Sequence, residues 1–327
     1  MNQRRINLLS AAMLAFVIPM ILFYALFSGR EEIKPPTLSG NAATEETTFN
    51  AESNDSVYIT VLMQNGNTEQ MLLDEYVKCV VLAEMPASFE YEALKAQAIV
   101  ARTYTLRRHT GTGKHPNASV CTDPSCCQGY CTEENYLDRA SDICDLNKIR
   151  QAVTDTKNMV LMYDGSLIEA TYFSCSGGST EDAAAVWGVD VPYLQATESP
   201  GEEDAAHYAD TEYFTAAEFR SLLGKDLPGD PSGWFGRITY TSGQGVATIE
   251  IGNESYSGSE VRRLLGLRST AFSVVALADT IVITTKGYGH RVGMSQYGAD
   301  AMALQGKTCQ EILSHYYEGT QLVSYVG

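Results

Sequence analysis

The chain has 327 residues, 44% of them hydrophobic and 19% charged, enough apolar material for one large domain or two modest ones. A formal charge of −17 repels nucleic-acid phosphates and anionic lipid headgroups, so nucleic-acid binding is set aside. A neutral sugar polymer or a basic protein partner tolerates that charge, and acid excess also serves plain solubility.

Met1 to Arg5 is short and basic through Arg4 and Arg5, and Ile6 to Phe27 carries no charge. That stretch is long enough to cross ~30 Å of hydrocarbon as a helix. Phe23 to Ser28 holds no small-x-small cleavage site, so it reads as a retained signal-anchor, not a cleaved signal peptide. The two arginines favour a cytoplasmic N-terminus, which makes the chain a single-pass cell-membrane protein with its folded part outside. Residues 31–55 have Pro35-Pro36, acidic and small polar residues and no apolar period, the composition of a disordered tether. The expected organisation is therefore 1–30 stub and anchor, 31–55 linker, and 56–327 one folded domain. A first hairpin is predicted from Val57 to Leu73, turning at Asn65-Gly66-Asn67.

Asp74 is placed to cap a helix from Glu75 to about Met85, stopped by Pro86. Glu84 lies at i+7 from Val77, i+4 from Val80 and i+3 from Val81, on the same face as those valines. A carboxyl there loses hydration, and the negative end of the helix dipole also opposes its charge. Held protonated near neutral pH, it can serve as a general acid. The competing reading is a structural ion pair with Arg102, Arg107 or Arg108 of the next helix. That helix, about Tyr91 to Arg108, carries small Ala93, Ala96, Ala98 and Ala101 for close packing, and Gln97, Arg102 and Tyr104 as polar groups for a cleft beside Glu84.

From His115 to Cys127 the chain is dense in soft ligands. His115, Cys121, Cys126 and Cys127 suit tetrahedral zinc. Disulfides are the alternative outside the cytoplasm, although adjacent Cys126 and Cys127 rarely bond to each other. Val160 to Phe173 reads as a second hairpin around Gly165, running into Ser174-Cys175-Ser176-Gly177-Gly178, where small residues admit a polymer to the backbone and hydroxyls donate to sugar oxygens. Trp187 and Tyr193 are either sugar platforms or core. Glu198 to Asp230 looks like an acidic surface insert with a short helix at Ala216–Leu223. Alternation returns from Gly236 to Ile251, a helix covers Ser259–Leu265, and Phe272–Leu277 with Thr280–Lys286 make a late strand pair. The glycine-rich Gly287 to Gly298, with His290, Ser295 and Gln296, precedes two amphipathic helices, about Ala299–Gln305 and Thr308–Tyr317. The fold class expected is α+β, mixed helices and antiparallel strands forming a grooved domain behind one transmembrane helix.

Val81 to Pro86, Leu94 to Tyr104, Cys121 to Gln128, Tyr172 to Gly178 and Gly287 to Gln296 resemble the stage II sporulation protein D family, in order and over roughly Ser56 to Tyr325. The resemblance implies a lytic transglycosylase that cuts peptidoglycan glycan strands stripped of stem peptides during engulfment. It implies Glu84 as the catalytic acid, protonating the glycosidic oxygen and then assisting attack by the sugar's own C6 hydroxyl, to give a 1,6-anhydromuramic end. It further implies zinc at His115, Cys121, Cys126 and Cys127, with Cys131 an extra candidate, and stage II sporulation proteins P (an amidase) and M (a membrane protein) as partners. Ser174, Ser176, His290, Ser295 and Gln296 follow from it as groove residues. The contrasting function is a non-catalytic wall-binding scaffold that recruits and activates an amidase. A zinc hydrolase requires an open metal position, which four protein ligands do not leave.

Overall fold

The computed structural model describes residues 57–111, 113–139 and 142–325. The anchor and the tether lie outside the described residues. Among those that are described, no helix is long and apolar enough to cross a membrane.

The chain opens with the antiparallel hairpin β1 (Tyr58–Leu62) and β2 (Thr68–Leu72), registered Tyr58 to Leu72 and Leu62 to Thr68. Ile59 and Val61 point to the core, as period-two alternation requires. Helix α1 (Leu73–Glu84) follows without a break; Leu72 is its N-cap and makes no side-chain cap. Asp74, expected as the cap, sits in the first turn and binds Arg102 instead. Tyr76, Val77, Val80 and Val81 form the buried face of α1, each fully buried side chain contributing about 1.5–3 kcal/mol. The helix ends at extended Met85, because Pro86 disfavours helical geometry in the residue before it.

Helix α2 (Tyr91–Thr110) is the central element, buried almost all round from Ala93 to Leu106. Its alanines let α1 and other elements approach closely, and Arg107, Arg108 and His109 in its last turn complement the dipole. The two-residue β3 (Val120–Cys121) lies parallel to β1 and fixes Cys121 to the sheet. Helices α3 (Glu133–Asp138) and α4 (Ile143–Asp155) lead to β4 (Met159–Tyr163) and β5 (Ser166–Leu167), a hairpin turning at left-handed Asp164 and Gly165. Only two residues of the expected return strand pair with β4. The chain then departs, and β6 (Tyr172–Phe173) pairs elsewhere before helix α5 (Ala183–Trp187).

A second apolar core occupies the inserted segment that follows, around Phe219, Trp234, Ile249, Leu265 and Ile281. It comprises β7 (Ala209–Thr215), α6 (Ala216–Leu223), the hairpins of β8 (Phe235–Tyr240), β9 (Val246–Ile251) and β10 (Glu254–Ser257), then α7 (Gly258–Leu265), β11 (Phe272–Ala276) and β12 (Thr280–Lys286). Capping boxes at Thr215/Glu218 and Ser257/Glu260 start its helices, and left-handed Gly224 and Gly266 end them. Strand β7 falls inside the stretch read as a loose acidic insert and pairs along its whole length with β12.

The chain then returns to the first core. Strand β13 (Met294–Ser295) runs parallel to β6, with Met294 opposite Tyr172. Helices α8 (Gln296–Leu304) and α9 (Cys309–Tyr316) pack on α2, and β14 (Gln321–Ser324) completes the β4 sheet. The result is the expected mixture of helices and mostly antiparallel strands.

Candidate functional site

Four segments meet at Glu84: the end of α1, the turn after Cys127, strand β6 and the start of α8. The Gly129 N–H donates to Glu84 Oε1, and an added Cβ at Gly129 would stand 2.9 Å from that oxygen. Glycine is what allows the backbone to come so close. The Tyr172 and Gln296 side chains also stabilise the charged carboxyl, yet burial is the larger effect and raises the Glu84 pKa above its ordinary value. Gln296 Nε2 is itself buried with no partner of hydrogen-bond geometry.

Behind Tyr172 lies a buried polar chain. Thr105 Oγ1 is 3.0 Å from Gln128 Oε1, and Gln128 Nε2 is 3.2 Å from the Tyr172 hydroxyl. Tyr76 stacks on Tyr130 with ring centroids 5.9 Å apart, and its hydroxyl donates to the Cys121 carbonyl.

The ion-pair alternative for Glu84 is not what the fold adopts. Arg107 and Arg108 both bind Glu169. Arg102, 1% exposed, donates to Asp74 at 3.1 Å and to the carbonyls of Met159 and Val153 at 3.3 Å. Among the described residues Glu84 has no salt bridge. Arg102 is thereby an internal tie between α1, α4 and β4, its carboxylate partner Asp74 standing in the first turn of α1, at the opposite end from Glu84. Tyr104 is also buried, its ring covered by the Arg108 guanidinium at 3.3 Å. Gln97 is fully buried on α2, with neither amide atom hydrogen-bonded.

Two of the expected groove hydroxyls serve the chain itself. Ser176 is fully buried; its N–H (2.7 Å) and Oγ (3.0 Å) both donate to Glu202 Oε2, which also accepts from the Gly177 N–H and the Cys175 thiol. Ser295, likewise buried, caps α8 by accepting from the Gly298 N–H at 3.2 Å. Both hydroxyls are thus engaged inside the fold. Ser174 is half-buried and accepts the Tyr297 N–H at its carbonyl. What approaches the backbone of Gly177 is Gly287, whose nitrogen would be 2.6 Å from a Cβ there, so those glycines join two loops of the protein.

His290 lies beside β6. Its Nδ1 accepts from the Val292 N–H at 3.1 Å, its ring also hydrogen-bonds the Tyr172 backbone, and it packs on Phe173 and Trp187 at 5.7 and 5.4 Å. Burial, with nearby Arg262, lowers its pKa to about 4, so the ring is neutral and spent on holding β6. Tyr193 is half-buried, and its hydroxyl accepts the Glu169 N–H at 3.0 Å.

His115, Cys121, Cys126 and Cys127 come together with their ligand atoms all within 4.8 Å of one another, a set able to hold a metal ion. Cys131 is outside it, its N–H on the Cys79 carbonyl and its thiol on the Thr132 carbonyl. All eight cysteines are free thiols, so the disulfide alternative is not adopted. Hydrogen bonding among the crowded thiols pushes Cys121 up and Cys127 down. Gln128 and Gly129 come next in the chain, so whatever fixes this cluster also fixes Gly129 on Glu84 and Gln128 on Tyr172.

The sequence does not reveal Tyr172 and Gly129 as neighbours of Glu84, or Gln128 behind Tyr172. Gln128 follows a cysteine pair and Tyr172 alternates with Phe173, but no periodicity aims either at the acid.

The family model described as stage II sporulation protein (SpoIID) matches residues 63–163. Stage II sporulation protein D of Bacillus subtilis (strain 168) is 42% identical over 263 residues, covering 79% of this chain and 76% of that protein. Its counterpart in Bacillus amyloliquefaciens is 41% identical over the same shares. The amidase enhancer of Bacillus subtilis (strain 168) is 31% identical over 305 residues, 76% of this chain and 40% of that protein.

Proposed function

The chain belongs to the stage II sporulation protein D family, and on that premise we propose that it is a lytic transglycosylase cutting peptidoglycan glycan strands with Glu84. The observation that carries the reading is a desolvated carboxyl with no salt bridge among the described residues, surrounded by neutral donors. Glu84 protonates the glycosidic oxygen, the C1–O bond breaks, the C6 hydroxyl of the same sugar bonds to C1, and its proton returns to the Glu84 carboxylate. No water is consumed and one carboxyl suffices, whereas glycoside hydrolases use a pair. The causes of the Glu84 shift include no second carboxylate.

The metal proposed for the cluster is zinc. Tetrahedral zinc with Zn–S of about 2.3 Å and Zn–N of about 2.0 Å spaces sulfurs about 3.8 Å apart and sulfur from nitrogen about 3.5 Å. His115 Nε2 is 3.6 and 3.5 Å from the sulfurs of Cys126 and Cys127, which are 4.0 Å from each other. Four protein ligands close the shell, so zinc here supplies a cross-link to a loop with little core of its own. The remaining parts of the proposal are a membrane anchor at residues 6–27, an extracytoplasmic domain, glycan strands stripped of peptides as substrate, and stage II sporulation proteins P and M as partners during engulfment.

A second reading is favoured by the similarity to an amidase enhancer: a wall-binding scaffold that activates an amidase without cutting glycan. Glu84→Gln separates the two. An enzyme loses anhydro-ended products from peptide-free glycan, while a scaffold shows none with either form and stimulates an amidase equally with both.

A further inference from the structure

Gln128 and Gly129 reach the acid by different routes, and they differ in what they can offer it. A backbone N–H such as that of Gly129 only donates, so it suits the carboxylate. A general acid that becomes a base must be held in both states, and a donor alone orphans the proton of the neutral one.

The Thr105–Gln128–Tyr172 chain meets that requirement. Thr105 Oγ1 is 2.8 Å from the Ala101 carbonyl and 3.0 Å from Gln128 Oε1, and Gln128 Nε2 is 3.2 Å from the Tyr172 hydroxyl. With the amide so directed, Tyr172 receives an N–H and its own proton is free for the Glu84 carboxylate. Turned by half a revolution the amide fills the same volume. Its oxygen then takes the Tyr172 proton, leaving a tyrosine lone pair to accept from a protonated Glu84. The amide nitrogen donates to Thr105, whose single proton turns from the amide oxygen to the Ala101 carbonyl. Every member both donates and accepts, and Gln128 is 1% exposed, so water does not supply the exchange.

We propose that Tyr172 is the positioning residue of Glu84, and that Gln128 turns with the proton so that the carboxyl keeps its place as acid and as base. The inference rests on Glu84 being the catalytic acid. The groups around that carboxyl are the hydroxyls of Tyr76 from α1 and Tyr172 from β6, the amide of Gln296 from α8 and the Gly129 N–H. Burial keeps both tyrosines protonated far above neutral pH, so Glu84 alone titrates among them.

The test uses the full chain on peptide-free glycan strands, with turnover measured against pH and melting recorded for each variant. Tyr172→Phe is expected to lower kcat about 10- to 100-fold with KM changed less than about twofold, and to move the Glu84 limb of the pH profile upward. Thr105→Val, which keeps the shape, is expected to move both in the same direction by less. Wild-type kcat and an unmoved limb in Tyr172→Phe overturn the proposal. Should Tyr172→Phe melt far below wild type, the same result in Thr105→Val overturns it. Failure of the underlying reading is seen separately, as activity retained by Glu84→Gln.

Discussion

Replacing Gly129 with alanine separates seating of the acid from stability of the fold. The new Cβ would stand 2.9 Å from Glu84 Oε1, 3.2 Å from its Cδ and 3.3 Å from the Ala83 Cβ. Relief requires the carboxyl to retreat by about half an ångström, a small movement for the end of a flexible side chain. Gly129 has no left-handed backbone, so alanine fits its conformation, and reduced freedom of the unfolded chain contributes about 0.4–1 kcal/mol in favour of folding. Melting is therefore expected to stay near wild type. Catalysis is less tolerant, since a misplacement of about 1 Å costs on the order of 100-fold. A loss of about 10-fold or more in kcat is expected here, about 1.4 kcal/mol of barrier or more. The assay is release of anhydro-ended fragments from peptide-free glycan beside a thermal melt. Wild-type turnover in Gly129→Ala refutes the reasoning, because the carboxyl would then work as well displaced.

Glu84 also has a signature in stability alone. Its folded-state pKa is raised by burial, against the pull of the Gly129, Tyr172 and Gln296 contacts, so the folded protein binds this proton more tightly than the unfolded chain. The stability it contributes is complete below the unfolded pKa and is lost as pH rises through the folded one. Glu84→Gln has no such proton to lose, and its melting advantage over wild type is expected to be greater at about pH 8 than at about pH 4; a difference that shrinks with rising pH contradicts the direction of the shift. Chelation is expected to lower both the melting temperature and turnover, because the loop from Cys121 to Cys127 presents Gln128 and Gly129. A melting curve indifferent to a strong chelator counts against the metal.

Legibility from sequence followed the range over which each signal acts. Glu84 stood out because helical periodicity places it among valines, and that local rule survives into the fold. The short helix expected near Ala216 to Leu223 is present, started by a capping box at Thr215 and ended by left-handed Gly224. The metal-binding set was legible because all its ligands come from one short loop. Tyr172 was not, since its neighbours are set by parallel pairing with a strand contributed from the far side of an inserted body. The partners of Ser176 and Ser295 were illegible for a related reason: a hydroxyl in a Ser/Gly loop looks available until its acceptor or donor, Glu202 or Gly298, is placed beside it. Glu202 itself sits in an acidic run that reads as surface, yet five donors bury it. Arg102 illustrates the converse, a polar residue one helix away from the acid whose charge is neutralised at the opposite end of that helix.

The central claim is that Glu84 moves the proton that breaks the glycosidic bond. It is tested most directly by the mass of the new chain ends when wild type and Glu84→Gln act side by side on peptide-free glycan strands. Wild type is expected to give ends one water lighter than hydrolysed sugar, and the variant none while melting no lower than wild type. Equal anhydro ends from both, or hydrated ends from wild type, contradict it.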